Sequence, residues 1–186
     1  MVSLPQSTGS RVQIPTGALF SLISQNNCMK NLSIRKANRN DFDELFKMDI
    51  EFISTMRKYY SKKERRLWNK KSLNFAKRKL RSKVRNKSIV IFVVEYNKQL
   101  IGYACGSIKK EVFGKKKYCE IETLFVKKKF RGKRLGKILL VKLIKEMKKR
   151  GVKKFYADVI CQNRNARELF QKLGFNERSL SYFKQF

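Results

Sequence analysis

Two spacings of apolar residues divide this sequence into strands and helices. Alternating or continuous apolar residues, as in Leu32–Lys36 and Ser88–Glu95, predict strands, whereas apolar residues three and four apart, as in Lys137–Met147, predict helices. Asn97-Lys98 lies between two apolar runs and predicts a hairpin turn. The pattern indicates the element order β-α-α-β-β-β-α-β-α-β. The other predicted elements begin and end near 42–50, 99–108, 118–126, 154–160 and 163–174.

The segment 57–87 is the most basic part of the chain. It holds 15 Lys and Arg residues and one acidic residue, Glu64, with apolar residues such as Leu80 spread through it. This spacing predicts one or two basic amphipathic helices. A surface with this charge favours an acidic partner, such as a nucleic acid or a ribosome, and repels a lysine-rich one.

The composition argues against a metal site and against a membrane protein. The chain of 186 residues carries 46 Lys and Arg against 14 Asp and Glu, no His, and four Cys without CxxC spacing. A zinc site and a nucleophile activated by His are therefore not expected. No stretch is apolar over the roughly 18 residues that a membrane span needs. The scattered thiols predict a cytoplasmic protein.

The first 28 residues differ in composition from the rest of the chain. They contain one charged residue, Arg11, and both prolines, whereas 32% of the whole chain is charged. We interpret residues 1–28 as a disordered or non-native N-terminal extension. Residues 29–186 are predicted to form one domain.

A basic loop that contains two glycines, 129–139, joins an apolar strand to the long helix that follows it. The first N–H groups of a helix lack partners within the helix, so this arrangement predicts an anion site that suits a diphosphate. Gly132 and Gly136 let the backbone approach the anion closely. The loop is not a Walker A loop, because Ile138 stands where a Mg²⁺-binding hydroxyl is required, and it lacks the Rossmann Gly-x-Gly-x-x-Gly pattern.

Two motifs together resemble the GNAT acyltransferases. Arg131-Gly-Lys-Arg-Leu-Gly136 is similar to the family's coenzyme A signature, Arg/Gln-x-x-Gly-x-Gly/Ala, with Arg134 where the family usually has its first glycine. The segment 163–175 is similar to the family's Asn-x-x-Ala-x-x-x-Tyr-x-x-x-Gly-Phe, with Phe170 in place of Tyr. Both motifs occur in the family's order of elements, and the resemblance covers about residues 32–186.

The resemblance implies the GNAT fold, an α/β (α+β) architecture with a mixed central sheet of about six to seven strands and about four helices, splayed between strands 4 and 5. It implies acetyl-CoA as co-substrate, with the pantetheine arm on the fourth strand and the diphosphate on the loop. The coenzyme-binding residues that it implies are Leu124, Phe125, Val126, Arg131, Gly132, Lys133, Arg134, Leu135, Gly136, Lys137, Asn163 and Phe170.

The implied reaction is direct transfer of an acetyl group to an amine. Because the chain has no histidine, we expect a carboxylate as general base, and Glu120 and Glu122 share one face of their strand. Burial would raise the pKa values of both carboxyls, whereas nearby lysines would oppose that change. Either Tyr156, Tyr182 or solvent would protonate the leaving thiolate, or no specific acid is used, since Phe170 cannot donate a proton.

The acceptor of the acetyl group is not identified by the sequence. In the family, the segment between the first two strands usually lines the acceptor side, and here that segment includes the basic residues 57–87. This favours an acidic acceptor, such as a protein or a ribonucleoprotein. The alternative function is a nucleic-acid- or ribosome-binding protein of the same fold, in which catalysis is vestigial.

Overall fold

The computed structural model describes residues 31–66, 69–111 and 116–179. The chain divides into two units, Met1–Asn31 and Leu32–Phe186, and every element described below belongs to the second unit. The predictions for residues 1–28 and for Tyr182 lie outside the described residues. Within the described ranges, no helix is long and apolar enough to cross a membrane.

Five strands form one mixed sheet in the described part of the chain, in the order β1-β2-β3-β4-β5. The first four strands pair antiparallel with their neighbours in sequence, and the fifth pairs parallel with the fourth. The predicted α/β fold class is confirmed, with fewer strands than the predicted about six to seven. The strands are β1 Leu32–Lys36, β2 Ile89–Tyr96, β3 Gln99–Lys110, β4 Lys117–Val126 and β5 Lys154–Ala157.

Five helices accompany the sheet in the described residues, because the basic segment forms two helices. The helices are α1 Phe42–Met56, α2 Lys62–Arg66, α3 Lys70–Arg85, α4 Leu135–Lys149 and α5 Arg164–Gln171. Asn69 caps α3: its side-chain oxygen accepts hydrogen bonds from the backbone N–H groups of Lys71 and Ser72, at 2.9 and 3.2 Å. This cap fixes where the second basic helix begins.

Helices cover both faces of the sheet. On one face, Leu45 of α1 and Leu80 of α3 belong to a core that includes Cys105 of β3. On the other face, α4 lies close to the next residue of β3, since a Cβ atom at Gly106 would be 3.2 Å from Leu143. Leu139 and other residues of α4 are fully buried, and each such leucine stabilises the fold by roughly 1.5–3 kcal/mol. The sheet therefore has an α1/α3 face and an α4 face.

Strand β4 is longer than its parallel partner β5 and continues past the end of their pairing. Their parallel register ends at the pair Ile121↔Ala157, whereas β4 continues to Val126. The next residue after Ile121 is Glu122, which lies at a shift in the register between β3 and β4 and has no partner in β3. Such a β-bulge bends a strand and increases its twist. The pairing thus ends where the resemblance implies a splay between the fourth and fifth strands, and the unpaired part of β4 begins at Glu122.

Candidate coenzyme and catalytic site

The loop between β4 and α4 contains two left-handed residues. Gly132 has φ 79° and Arg134 has φ 59°, and α4 begins at the residue after Arg134. A side chain with Cβ in this conformation costs roughly 1–2 kcal/mol, which glycine avoids. The backbone at Arg134 therefore has the conformation that a glycine would favour, although the sequence places an arginine there.

The start of α4 carries no side-chain cap. Arg134 is the N-cap residue, and its side chain accepts no hydrogen bond from the first turn. The free N–H groups of this turn, together with the exposed side chains of Lys133 and Arg134, give a positive surface that fits a diphosphate. In the described residues, no group of three or more His, Cys, Asp or Glu could hold a metal ion.

Three elements meet at Gly136, in the first turn of α4. A Cβ atom built on Gly136 would lie 3.6 Å from Cδ2 of Leu169 in α5 and 3.9 Å from Cδ2 of Leu124 in β4. The glycine thus faces the space between the unpaired end of β4 and α5. This junction brings together the basic loop, the unpaired end of β4 and the second motif.

On the α1/α3 face of the sheet, Glu122 forms an ion pair that the sequence did not predict. Lys83 Nζ of α3 lies 2.5 Å from Glu122 Oε2, and the two side chains are 18% and 17% exposed. Burial alone would raise the pKa of Glu122, but the hydrogen bond from Lys83 and its charge lower that pKa below the ordinary 4.5. Lys83 and the weaker charge of Lys109 together outweigh burial, and Glu122 is a carboxylate at neutral pH.

A sequence profile described as the Acetyltransferase (GNAT) family matches residues 50–175, which is more than half of the chain. The chain belongs to the GNAT acetyltransferase family. The matched range includes α3, β4, the basic loop, α4 and α5, and thus both motifs and the pair Lys83–Glu122.

A relative and two solved structures are similar to this GNAT protein. The uncharacterized N-acetyltransferase MJ1207 of Methanocaldococcus jannaschii is 28% identical over 155 residues, which are 83% of this chain and 65% of that protein. The aminoglycoside N-acetyltransferase AAC(6')-Iy in complex with CoA has a TM-score of 0.64 and 17% identity over 83% of this chain and 94% of its own. A ribosomal-protein-alanine N-acetyltransferase from Brucella melitensis has a TM-score of 0.62 and 14% identity, with 83% and 99% covered. The two structures show that the fold is shared.

Within the GNAT frame, two predicted coenzyme residues have side chains that are already engaged. Arg131 donates a hydrogen bond from Nε to the Val126 carbonyl oxygen at 2.9 Å, so its side chain lies at the end of β4. Phe125 is 3% exposed and packs against Phe52 and Tyr103 in the core. Contact of Phe125 with a coenzyme would therefore be through its backbone.

The second GNAT motif forms α5 as the sequence predicted. Asn163 caps the helix, with its Oδ1 accepting from the backbone N–H of Ala166 at 3.4 Å. The ring of Phe170 packs edge to face on Phe175, with the ring centroids 5.1 Å apart, after the left-handed Gly174 ends the helix. Both predicted coenzyme residues in this motif, Asn163 and Phe170, thus have structural contacts of their own, and their contact with the coenzyme stays a prediction.

The other two predicted catalytic residues lie together, one pair of residues away from the splay. Glu120 is paired with Tyr156 across β4 and β5. Glu120 is 39% exposed, with its Oε2 3.7 Å from Lys109 Nζ. The Tyr156 hydroxyl accepts a hydrogen bond from Arg178 Nη1 at 2.9 Å and keeps its own proton to donate. Glu122 is thus the more buried of the two candidate bases.

Two polar residues on the sheet-facing sides of α1 and α3 were not predicted from the sequence. Lys83 was expected only to add to the charge of the basic segment. It lies three residues after the buried Leu80, and this spacing places it on the inner side of α3. Asp49 of α1 accepts a hydrogen bond from the hydroxyl of the fully buried Tyr103 at 2.6 Å. Burial and the negative charge of Asp49 raise the pKa of Tyr103 well above its ordinary value. An aspartate at an apolar helix position was the available signal for this pair.

Proposed function

We propose that this protein transfers the acetyl group of acetyl-CoA directly to an amine of an acceptor. The observation that carries the proposal is the uncapped start of α4 behind two left-handed residues, Gly132 and Arg134, next to the unpaired end of β4. The N–H groups of the loop and helix would bind the diphosphate, and no metal is needed. Backbone groups of Leu124 and Val126 would hold the pantetheine arm.

Glu122 is the proposed general base. An amine must lose a proton to attack a thioester, and Glu122 is a half-buried carboxylate at the point where β4 and β5 separate. Glu120 is more exposed, so its smaller expected role is to balance the charge of Lys109. Tyr156 or solvent would supply the proton to the leaving thiolate.

The acceptor is proposed to be an acidic molecule that carries an amine, such as an acidic protein terminus or a ribonucleoprotein. The support is the charge of α3, which contains no acidic residue between Lys70 and Arg85. A polycationic acceptor would be repelled by this surface. A cytoplasmic location stays a prediction, to which the free thiols of Cys105 and Cys119 add support.

A second candidate function, binding of single-stranded nucleic acid, rests on one exposed aromatic residue. Phe75 of α3 is 61% exposed, and Lys71, Arg78 and Lys79 lie one helical turn from it. An aromatic ring between cations is the arrangement on which bases stack, at roughly 1–3 kcal/mol per base. Fluorescence anisotropy with a labelled single-stranded RNA at several salt concentrations tests this candidate, and Phe75→Ala should weaken the binding.

The acetyltransferase proposal is tested by following thiol release from acetyl-CoA in the presence of peptides with free amino termini. An acidic peptide should be acetylated faster than a lysine-rich peptide of equal length. Glu122→Gln should slow the transfer by about a hundredfold or more, since general base catalysis is worth 10²–10⁴. Glu120→Gln is the matched control and should retain most of the rate. Equal rates for Glu122→Gln and the unmodified chain would contradict the assignment of the base.

A further inference from the structure

One lysine of the basic helix α3 differs from the others in its surroundings. Lys71, Lys77 and Lys79 are exposed, whereas the Lys83 side chain is 18% exposed and reaches the sheet. Its Nζ lies 2.5 Å from Glu122 Oε2. A primary amine of the chain therefore occupies the place that an acceptor amine would take beside the proposed base.

The same pair lies where a bound acetyl group would end, if the proposed function holds. The gap between β4 and β5 closes at Ile121↔Ala157, and Glu122 is the next residue. The diphosphate site at Gly136 lies toward the open end of that gap, beside Leu124. An arm that ran from the loop along β4 toward the paired end would bring its thioester toward Glu122. Amine, carboxylate and acetyl carbon would meet at this point.

We propose that Lys83 is a site of self-acetylation, modified by the acetyl-CoA that the same chain binds. The C–N bond forms between Lys83 Nζ and the acetyl carbon, and the C–S bond breaks, with its electron pair leaving on sulfur. The ammonium loses two protons: one passes to Glu122, and the other reaches the thiolate through solvent. No oxidant or reductant takes part, and the inference rests on the proposed coenzyme site.

Lys83 is expected to be acetylated because it is in contact with Glu122, and not because its amine is unusually reactive. Lys83 is protonated at neutral pH, because the charges of Glu122 and its neighbours outweigh burial and raise its pKa. Proton transfer within the pair to Glu122 gives a neutral amine without separating charge. Acetyl-lysine is neutral, so the modification removes the ion pair and leaves Glu122 available to an external amine. The expected course is one acetyl group per chain.

The experiment uses the full chain and acetyl-CoA with an isotopically labelled acetyl group, followed by peptide mapping with mass spectrometry. The occupancy of each lysine is the sum of unlabelled acetyl groups, acquired before purification, and labelled acetyl groups. Occupancy at Lys83 should exceed that at Lys79, the exposed control lysine one turn earlier, by about tenfold or more. Glu122→Gln should lower the occupancy at Lys83 by about a hundredfold and leave that at Lys79 unchanged. The labelled fraction should not depend on protein concentration, since the transfer is within one chain.

Four results would overturn the inference, and a binding measurement separates its failure from that of the proposed function. Equal acetylation of Lys83 and Lys79 would show that the reaction is non-enzymatic, as would full labelling of Lys83 in a Glu122→Gln chain whose thermal unfolding shows that it is folded. No acetyl on Lys83, with acetyl-CoA binding measured by calorimetry, would reject self-acetylation and leave the coenzyme site in place. Absence of acetyl-CoA binding would reject both.

Discussion

The candidate site consists of backbone groups on one face of the sheet and of paired side chains on the other. On the α4 face, the proposed coenzyme site depends on backbone: left-handed residues, free N–H groups and a glycine at the helix start. On the α1/α3 face, the site depends on side chains from distant segments, namely the pairs Lys83–Glu122 and Asp49–Tyr103. A site formed by one contiguous segment can be recognised as a sequence motif. A pair of side chains from distant segments cannot, because its two residues have no fixed spacing in the sequence.

The largest expected effect on stability comes from breaking the side-chain pair. Lys83→Met should lower the free energy of unfolding by roughly 2 kcal/mol, somewhat less than the 3–5 for a fully buried pair, because Glu122 would be left unpaired. Chemical denaturation measures this change. The double variant with Glu122→Gln should recover much of the loss. Lys47→Met, which breaks an exposed pair with Glu44, is the control and should leave the midpoint nearly unchanged.

The pH dependence of the Lys83→Met effect sharpens this prediction. The pKa of Glu122 is lowered from 4.5, so its stabilising contribution is full above pH 4.5 and is lost as the pH falls through the lower folded-state pKa. The pKa of Lys83 is raised from 10.5, so its contribution is full below pH 10.5 and is lost as the pH rises through the higher folded-state value. In Lys83→Met, burial acts on Glu122 without its lysine and raises its pKa, so the difference between the two chains should grow as the pH rises through that raised value and then stay flat up to pH 10.5. A difference that disappears near pH 7 would contradict the assigned pair.

A smaller effect is expected on nucleic-acid affinity from reversing charge on α3. Replacing Arg78 and Lys79 with Glu should weaken binding of single-stranded RNA by over tenfold and lower the salt slope by about 1.4, since each of the two phosphate contacts contributes roughly 0.7. The matched control replaces Lys148 and Lys149 with Glu, two exposed residues at the end of α4. Equal losses in both double variants would assign the binding to net charge and not to α3.

The smallest expected change in stability is that of substitutions in the loop before α4. Arg134→Gly should stabilise the chain by about 1 kcal/mol, because glycine adopts the left-handed conformation without strain. Gly132→Ala should have the opposite sign and a similar size, although no atom lies within 4 Å of a Cβ there. Thermal unfolding of the two variants measures both changes. Destabilisation by Arg134→Gly would show that the arginine side chain contributes more than its backbone costs.

The sequence predicted those features that depend on short-range pattern. Within the described residues, the order of strands and helices and the turn at Asn97-Lys98 follow from local spacing and turn chemistry. The position of the splay could not be predicted from spacing, because the bulge at Glu122 arises from the register between two strands. The direction of the Arg131 side chain, toward the Val126 carbonyl, also depends on tertiary contacts.

The basic segment shows the same limit within one helix. Its charge predicted an amphipathic helix with an exposed cationic side, and Lys79 is exposed as expected of that side, whereas Phe75, one of the apolar residues of the segment, is exposed as well. Which lysine would reach the sheet depended on the phase of the helix around the buried Leu80. The pattern of apolar residues predicts which side of the helix faces inward. The pairing of Lys83 with Glu122 could not be predicted from it, because the pair depends on where α3 lies on the sheet.

Calorimetric titration of acetyl-CoA into the Gly136→Glu chain tests the central claim most directly. The new carboxylate would project between Leu124 and Leu169, beside the proposed diphosphate site, so affinity should fall by at least about a hundredfold, because like charges in contact cost several kcal/mol. Gly136→Ala, whose Cβ fits at ordinary contact distance, should bind within a few-fold of the unmodified chain, and so should the Arg78 and Lys79 double variant. Unchanged affinity in Gly136→Glu would contradict the coenzyme site at the start of α4.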